Sequence, residues 1–216
     1  MDTAAARRQM VDQQIRTWEV LDERVLDALG AIPREAFAPA GFEDLAFADA
    51  PIPIGFGQTM LAPKMHGRIL QSLAINPIDS VLEIGTGTGY LAACLALLAR
   101  KVKSIDVHPE FVALARRNLA HARGAAVEIE LRDAFAPGPL GEFDVIAVTG
   151  SMPVYDARFA AALAPGGRLF AIVGAAPVME AILVRRVSAA EWTRESLFET
   201  VVEPLTGSAA PNGFVF

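Results

Sequence analysis

The chain has 216 residues, of which 53% are hydrophobic and 20% are charged, and its formal net charge is −6. This composition excludes a disordered chain, and the acidic balance gives no support to a nucleic-acid partner. A single cysteine excludes an intramolecular disulfide, and the three histidines lack the spacing of metal ligands. Since neither a membrane-length apolar run nor a signal-peptide core is present, we expect a metal-free cytoplasmic protein.

The first part of the chain predicts helices followed by an irregular arm. Residues 4–31 carry apolar side chains at roughly helical spacing, with a break near residues 17–21, and Pro33 ends this region. Prolines and glycines recur through residues 33–63, which predicts a segment without regular elements. We therefore expect an N-terminal helical region and arm over residues 1–63. An α/β domain is expected over residues 64–216, packed with the arm as one unit.

From Met65 onward, predicted helices and strands alternate along the chain. Strands that are apolar on both faces are typical of a parallel sheet covered by helices, and the alternation predicts a doubly wound α/β fold. The last two strands have no clear helix between them, which favours an antiparallel hairpin. Helices are predicted at 65–73, 90–99 and 110–121, and seven strands at 80–84, 102–106, 126–131, 143–149, 168–173, 181–187 and 196–202.

A glycine cluster lies between the first of these strands and the helix after it. Gly85, Gly87 and Gly89 allow a ligand to approach the main chain, and a helix N-terminus offers free N–H groups. The spacing differs from the dinucleotide pattern G-x-G-x-x-G, because Tyr90 occupies the third glycine position. Glu83 could bind a ligand ammonium group or orient the loop. A glycine-rich turn without a ligand is the alternative.

Two aspartates end the next two predicted strands, at the edge where open α/β sheets bind ligands. Asp106 follows the glycine loop at the distance where an acid can bind both ribose hydroxyls. Its alternative role is a cap on the helix that begins near Pro109. Asp133 ends the third strand, and its alternative role is that of an ordinary loop residue.

The sequence E-x-G-x-G-x-G, followed by these two aspartates and by the strand at 143–150, resembles class I S-adenosylmethionine (AdoMet) methyltransferases. The resemblance implies a Rossmann-like fold with a mostly parallel seven-stranded sheet and AdoMet as the cofactor. It also implies that Asp133 reaches the adenine amino group and that the end of strand 143–150 borders the methyl group. The implied cofactor-binding residues are Gln58, Thr59, Glu83, Gly85, Thr86, Gly87, Thr88, Gly89, Asp106, Val107, Asp133, Ala134 and Thr149.

Residues 51–59, PIPIGFGQT, resemble the protein-L-isoaspartate O-methyltransferase family. Residues 32–37, residues 46–49 and the Pro204-Leu205 pair extend the resemblance over roughly residues 10–205. It implies methyl transfer from AdoMet to the free carboxyl group of isoaspartyl residues in damaged proteins, which starts their repair through a succinimide. The expected partner is a peptide or protein carboxylate, with no nucleic acid or membrane, and the expected state is a monomer.

The chain departs from this family pattern on the acceptor side. Leu61 stands where the family has a serine, and a leucine cannot donate a hydrogen bond. Residues 201–203 replace an expected arginine and aromatic residue. Thr59 is then the remaining catalytic candidate, with Gln58, for orienting cofactor or acceptor. The alternative is that Gln58 and Thr59 only form hydrogen bonds within their own turn. Methylation of another acceptor and cofactor binding without catalysis remain alternative functions.

A carboxylate acceptor is already ionised at neutral pH and needs no general base. Catalysis then requires positioning and a partly desolvated site.

Overall fold

The computed structural model describes residues 2–122 and 126–209. Its N-terminal region is helical, as predicted. Helix α1 is capped by Asp2, whose side chain accepts hydrogen bonds from two main-chain N–H groups. The predicted break falls at Glu19, where the main chain adopts a left-handed φ of 61°. The helical segments are α1 (Thr3–Met10), a π-helical turn (Val11–Ile15), a 3₁₀ turn (Arg16–Trp18) and α2 (Glu23–Ala31).

The arm that follows α2 is more regular than predicted. It contains 3₁₀ turns at Arg34–Phe37 and Glu43–Phe47 and an antiparallel hairpin of strands β1 (Ile52–Gly55) and β2 (Gln58–Met60). The glycines that indicated an irregular segment form the turn of this hairpin, because both glycines beside Phe56 have positive φ angles.

The main sheet has seven strands in the order β5-β4-β3-β6-β7-β8-β9. The first five strands in this order pair in parallel, and the last two add an antiparallel hairpin. This confirms the doubly wound, mostly parallel sheet and its closing hairpin. The strands are β3 (Ser80–Ile84), β4 (Lys101–Asp106), β5 (Val127–Leu131), β6 (Phe143–Met152), β7 (Leu163–Ala175), β8 (Val178–Ser188) and β9 (Glu191–Glu199).

Helices cover both faces of this sheet. Successive residues of the central strand β3 point to opposite faces, so that Val81 lies in one hydrophobic cluster and Leu82 in the other. The first cluster includes side chains of the N-terminal helices, such as Ile15 and Leu29. The segments before and after residue 63 therefore share a core. The remaining helices are α3 (Pro63–Leu73), α4 (Tyr90–Leu98), α5 (Pro109–His121) and α6 (Ala157–Ala161).

Two strands have bounds that differ from the prediction. β7 begins at Leu163, before the predicted start at residue 168, and includes Pro165, Gly166 and Gly167. β9 ends at Glu199, whereas the prediction placed it over 196–202. Most of β9 is exposed at the sheet edge, so it carries little of the apolar periodicity that marks a buried strand. Within residues 2–122 and 126–209, no helix combines the length and apolar character needed to cross a membrane.

Candidate functional site

The glycine cluster forms a tight turn from β3 into α4. Gly85, Gly87 and Gly89 have φ angles of 95°, 51° and 86°, a region that side chains strongly disfavour. A Cβ at Gly85 would overlap Thr149 Oγ1, and a Cβ at Gly89 would lie 3.0 Å from the Ala115 Cβ. Both conformation and space therefore require glycine at these two positions.

The N–H groups of these glycines are engaged inside the protein. Gly85 donates to the Ile105 carbonyl at 2.9 Å, and Gly89 donates to the Thr86 carbonyl at 2.9 Å. Gly87 donates to Asp106 Oδ2 at 3.0 Å. The glycines therefore do not offer these N–H groups to a ligand. Their role is to let the loop turn tightly, so that a ligand can lie close to the main chain.

Glu83, at the end of β3, is buried and tied to the neighbouring strand. Its carboxyl group accepts a short hydrogen bond from Ser104 Oγ, which lies 2.6 Å from Thr86 Oγ1. Burial raises the pKa of Glu83 from its ordinary value of 4.5 to about 8, with a smaller contribution from the nearby Asp106 carboxylate. These contacts support the interpretation that Glu83 orients the loop.

Asp106 ends β4 beside the glycine loop. Its Oδ2 accepts from the Gly87 N–H and its Oδ1 accepts from the His108 N–H, both at 3.0 Å. The alternative role as a helix cap is wrong, because α5 begins after His108 and has no side-chain cap. A carboxylate has about four acceptor positions, so both oxygens can accept further hydrogen bonds from a ligand.

Asp133 and Ala134 follow β5 at the same edge of the sheet. Asp133 Oδ1 accepts from the Phe135 N–H at 2.8 Å, which closes a short turn, and Ala134 is buried. Because parallel strands present their carboxyl ends together, these residues face the glycine loop across one cavity.

This cavity contains about 840 Å³ of space, open to solvent at its mouth. All but one of the predicted cofactor-binding residues line this cavity: Gln58, Thr59, Glu83, Gly85, Thr86, Gly87, Thr88, Asp106, Val107, Asp133, Ala134 and Thr149. The exception is Gly89, which lies at the start of α4. The lining residues that were not predicted to bind the cofactor include Ile54, His66, His108, Phe111, Arg132, Phe135, Val202, Glu203, Leu205 and Thr206.

An aromatic cluster lies at the rim of the cavity. The half-exposed Phe56, at the tip of the β1–β2 hairpin, stacks on His108 with ring centroids 4.4 Å apart. Phe111 packs edge-on against both rings. Nothing in the local sequence indicates this contact, because it joins a hairpin tip to the residues after β4.

The β1–β2 hairpin is also tied to the segment after β9. Gln58 Nε2 donates to the Pro204 carbonyl at 3.1 Å, and Thr59 Oγ1 donates to Glu203 Oε2 at 2.9 Å. These bonds span more than a hundred residues, so the alternative of local turn satisfaction is wrong. Leu205 packs against Gly150, where a Cβ would lie 2.9 Å from its side chain.

A second cavity, called the outer cavity below, adjoins the first. The residues shared by the two cavities are Thr59, Leu61, Val202 and Glu203. The outer cavity is otherwise lined by Trp18, Asp49, Pro51, Ala62, Lys64, Met65, Phe198, Glu199, Thr200 and Val201. The two cavities therefore meet at the wall formed by Thr59, Leu61 and Glu203.

A buried arginine holds the main chain of this wall. Arg34 is fully buried and donates to the carbonyls of Leu61 at 2.6 Å and Ala46 at 2.7 Å. Its third contact is with His66 Nδ1 at 3.1 Å. Burial and the adjacent guanidinium lower the pKa of His66 well below its ordinary range, so the ring is neutral and can accept this bond.

The fold and the cavity together define a doubly wound α/β protein that binds its ligand at the carboxyl ends of the parallel strands, as AdoMet-dependent methyltransferases do. A sequence profile described as protein-L-isoaspartate(D-aspartate) O-methyltransferase (PCMT) matches residues 5–210. The chain belongs to this family.

Individual relatives match over nearly their full length. The protein-L-isoaspartate O-methyltransferase of Koribacter versatilis is 39% identical over 206 residues, covering 95% of this chain and 92% of the relative. That of Methanoculleus marisnigri is 41% identical over 202 residues, covering 93% and 88%.

Among solved structures, one from Plasmodium falciparum, described as a protein-L-isoaspartate O-methyltransferase in complex with S-adenosyl-L-homocysteine, superposes with a TM-score of 0.82. It is 18% identical and covers 93% of this chain and 98% of that structure, so it shows a common fold.

Proposed function

We propose that this protein transfers the methyl group of AdoMet to the free carboxylate of L-isoaspartyl residues in peptides and proteins. Family membership over residues 5–210 supports the reaction, and the names of the relatives supply the acceptor. The observation that carries the proposal is the junction of an inner cavity at the glycine loop with an outer cavity, through shared residues. A cofactor in the inner cavity and a peptide in the outer cavity would therefore contact the same residues.

The residues of the inner cavity fit AdoMet. The glycine turn leaves room that a Cβ would fill, and Asp106 has acceptor positions free for ribose hydroxyls. Asp133, at the end of the next strand, is assigned to the adenine amino group. Glu83 lines the same cavity and keeps the loop in place through Ser104 and Thr86.

The chemistry needs positioning more than acid–base catalysis. AdoMet held by the inner cavity would supply an electrophilic methyl group, which would pass to the carboxylate oxygen while the electron pair of the C–S bond stays on sulfur. Since the acceptor is already a carboxylate at neutral pH, no general base is required. The hydrogen bonds of Gln58 to Pro204 and of Thr59 to Glu203 fix the wall beside which the acceptor would be positioned and from which water would be excluded.

The product identifies the reaction. Incubation with AdoMet and an isoaspartyl peptide is expected to give a peptide methyl ester, seen by mass spectrometry as one added methyl group. Mild base should convert it to a succinimide with release of methanol. Calorimetric titration with S-adenosylhomocysteine provides a separate measure of the cofactor cavity. Cofactor binding without any peptide ester would contradict the proposed acceptor and favour the alternatives of another acceptor or of binding without catalysis.

A further inference from the structure

The wall between the two cavities contains a carboxylate where the acceptor carboxylate would have to approach. Glu203 lines both cavities, and its Oε2 accepts the hydroxyl proton of Thr59 at 2.9 Å. A threonine hydroxyl has one proton to donate. While this bond is intact, Thr59 presents only lone pairs to an incoming carboxylate, and Leu61 beside it presents only carbon.

No cation among the described lining residues of the outer cavity pairs with Glu203. Lys64 is the one cation among the lining residues of the outer cavity, and its Nζ lies 2.7 Å from Asp49 and over the Trp18 ring at 4.3 Å. A further acid, Glu199, lines the same cavity. Within residues 2–122 and 126–209, no lysine or arginine forms an ion pair with Glu199 or Glu203.

We propose that Glu203 is a specificity-determining residue that selects isoaspartyl substrates with a basic residue next to the modified position. This inference rests on the proposed function and adds the class of substrate. An isolated acceptor carboxylate is repelled by Glu203. A lysine or arginine on the same peptide pairs with Glu203, which offsets that repulsion and holds the chain across the wall.

The position of Glu203 does not depend on its side chain. The Glu203 carbonyl accepts from the Ser151 N–H at 2.9 Å, and the Leu205 N–H donates to the Ser151 carbonyl at 2.9 Å. A substitution of the side chain therefore leaves this main-chain pairing with β6 in place. Glu203→Gln removes the charge while its amide oxygen can still accept from Thr59 and its NH₂ group can donate to a carboxylate.

The test compares two isoaspartyl peptides that differ only in carrying lysine or glutamate beside the isoaspartyl residue. For the unmodified protein at low salt we expect kcat/KM to favour the lysine peptide by about 5- to 20-fold, a difference that falls as salt is added. Glu203→Gln should reduce this preference to about 2-fold, mainly by raising kcat/KM for the glutamate peptide through KM. Glu203→Ala should lose the preference as well, which separates charge from the hydrogen bond to Thr59.

Glu142→Gln is the matched control, because Glu142 is exposed and lies at the amino end of β6, whereas the cavities lie at the carboxyl ends of the parallel strands. It should keep the full preference. Equal kcat/KM for the two peptides in the unmodified protein, or a preference that survives Glu203→Gln, would overturn the charge selection and leave the proposed function standing. Binding of both peptides to the S-adenosylhomocysteine complex gives the same comparison without turnover. No turnover and no binding of either peptide would overturn both proposals.

Discussion

The cofactor side and the acceptor side of the cleft are built in different ways. The cofactor side consists of loops at the ends of adjacent parallel strands, and its contacts join β3, β4 and β5 directly. The acceptor side joins a hairpin at residues 52–60 to a segment at residues 202–205 through side-chain hydrogen bonds. The sheet therefore dictates the first geometry, whereas the second depends on a few individual side chains. Substitutions on the two sides should separate cofactor binding from acceptor recognition.

The largest effect is expected at Gly85. In Gly85→Ala, strain at a φ of 95° and the overlap with Thr149 Oγ1 act together. We expect the free energy of unfolding to fall by about 3 kcal/mol or more and S-adenosylhomocysteine binding to weaken at least about 100-fold. Denaturant unfolding and calorimetric titration measure the two effects.

Gly30→Ala is the control for Gly85→Ala, since Gly30 lies within α2 with nothing near its Cβ position. It should change the free energy of unfolding by less than about 1 kcal/mol, in the stabilising direction. Unaltered cofactor binding by Gly85→Ala would show that the glycine turn does not shape the cavity.

An intermediate effect is expected on the acceptor side at Leu61. Leu61→Ser and Leu61→Ala both remove a buried side chain, so each should lose about 2–4 kcal/mol of stability. Only serine adds a hydrogen-bond donor at the wall. We expect kcat/KM for an isoaspartyl peptide to be about 5- to 10-fold higher in Leu61→Ser than in Leu61→Ala, with cofactor affinity within about twofold. Equal peptide kinetics in the two variants would show that this position does not contact the acceptor.

The smallest effect is expected for the contribution of Glu83 to the pH dependence of stability. Because folding raises the pKa of Glu83 to about 8, the folded protein holds this proton more tightly than the unfolded chain. The resulting stabilisation is complete below the ordinary glutamate value of 4.5 and is lost as pH rises through about 8.

The measurement compares Glu83→Gln with the unmodified protein, without cofactor. Between about pH 5 and about pH 9, the Tm of the unmodified protein should fall by roughly 3–8 °C more than that of Glu83→Gln, whose amide does not titrate. Glu142→Gln should follow the unmodified protein. Parallel Tm curves for Glu83→Gln and the unmodified protein would mean that the Glu83 carboxyl group does not change its protonation on folding.

The contrast between the two sides also explains what could be predicted from the sequence. Gly85, Asp106 and Asp133 each follow an apolar strand, and parallel strands bring their ends together, so local patterns were enough to assemble this half of the cavity. The hairpin at residues 52–60 was missed because its glycines indicated an irregular segment. The bond between Thr59 and Glu203 and the stack of Phe56 on His108 join distant parts of the chain, and single-sequence patterns contain no information about such pairs.

The edge strand β9 shows a second reason why part of the fold could not be predicted from the sequence. Its predicted position was shifted because the strand is largely exposed, and its polar residues are held by pairing with β8. Burial generates the periodicity from which strands are predicted, so elements at the sheet edge have the weakest signal.

The most direct test of the central claim is the ratio of kcat/KM for two peptides of identical sequence, one with an isoaspartyl and one with a normal aspartyl linkage. With lysine beside the modified position, we expect methyl ester formation on the isoaspartyl peptide to exceed that on the aspartyl peptide by at least about 100-fold. Equal rates on the two peptides, or no ester on either while S-adenosylhomocysteine binds, would contradict the assignment of isoaspartyl carboxylates as the acceptor.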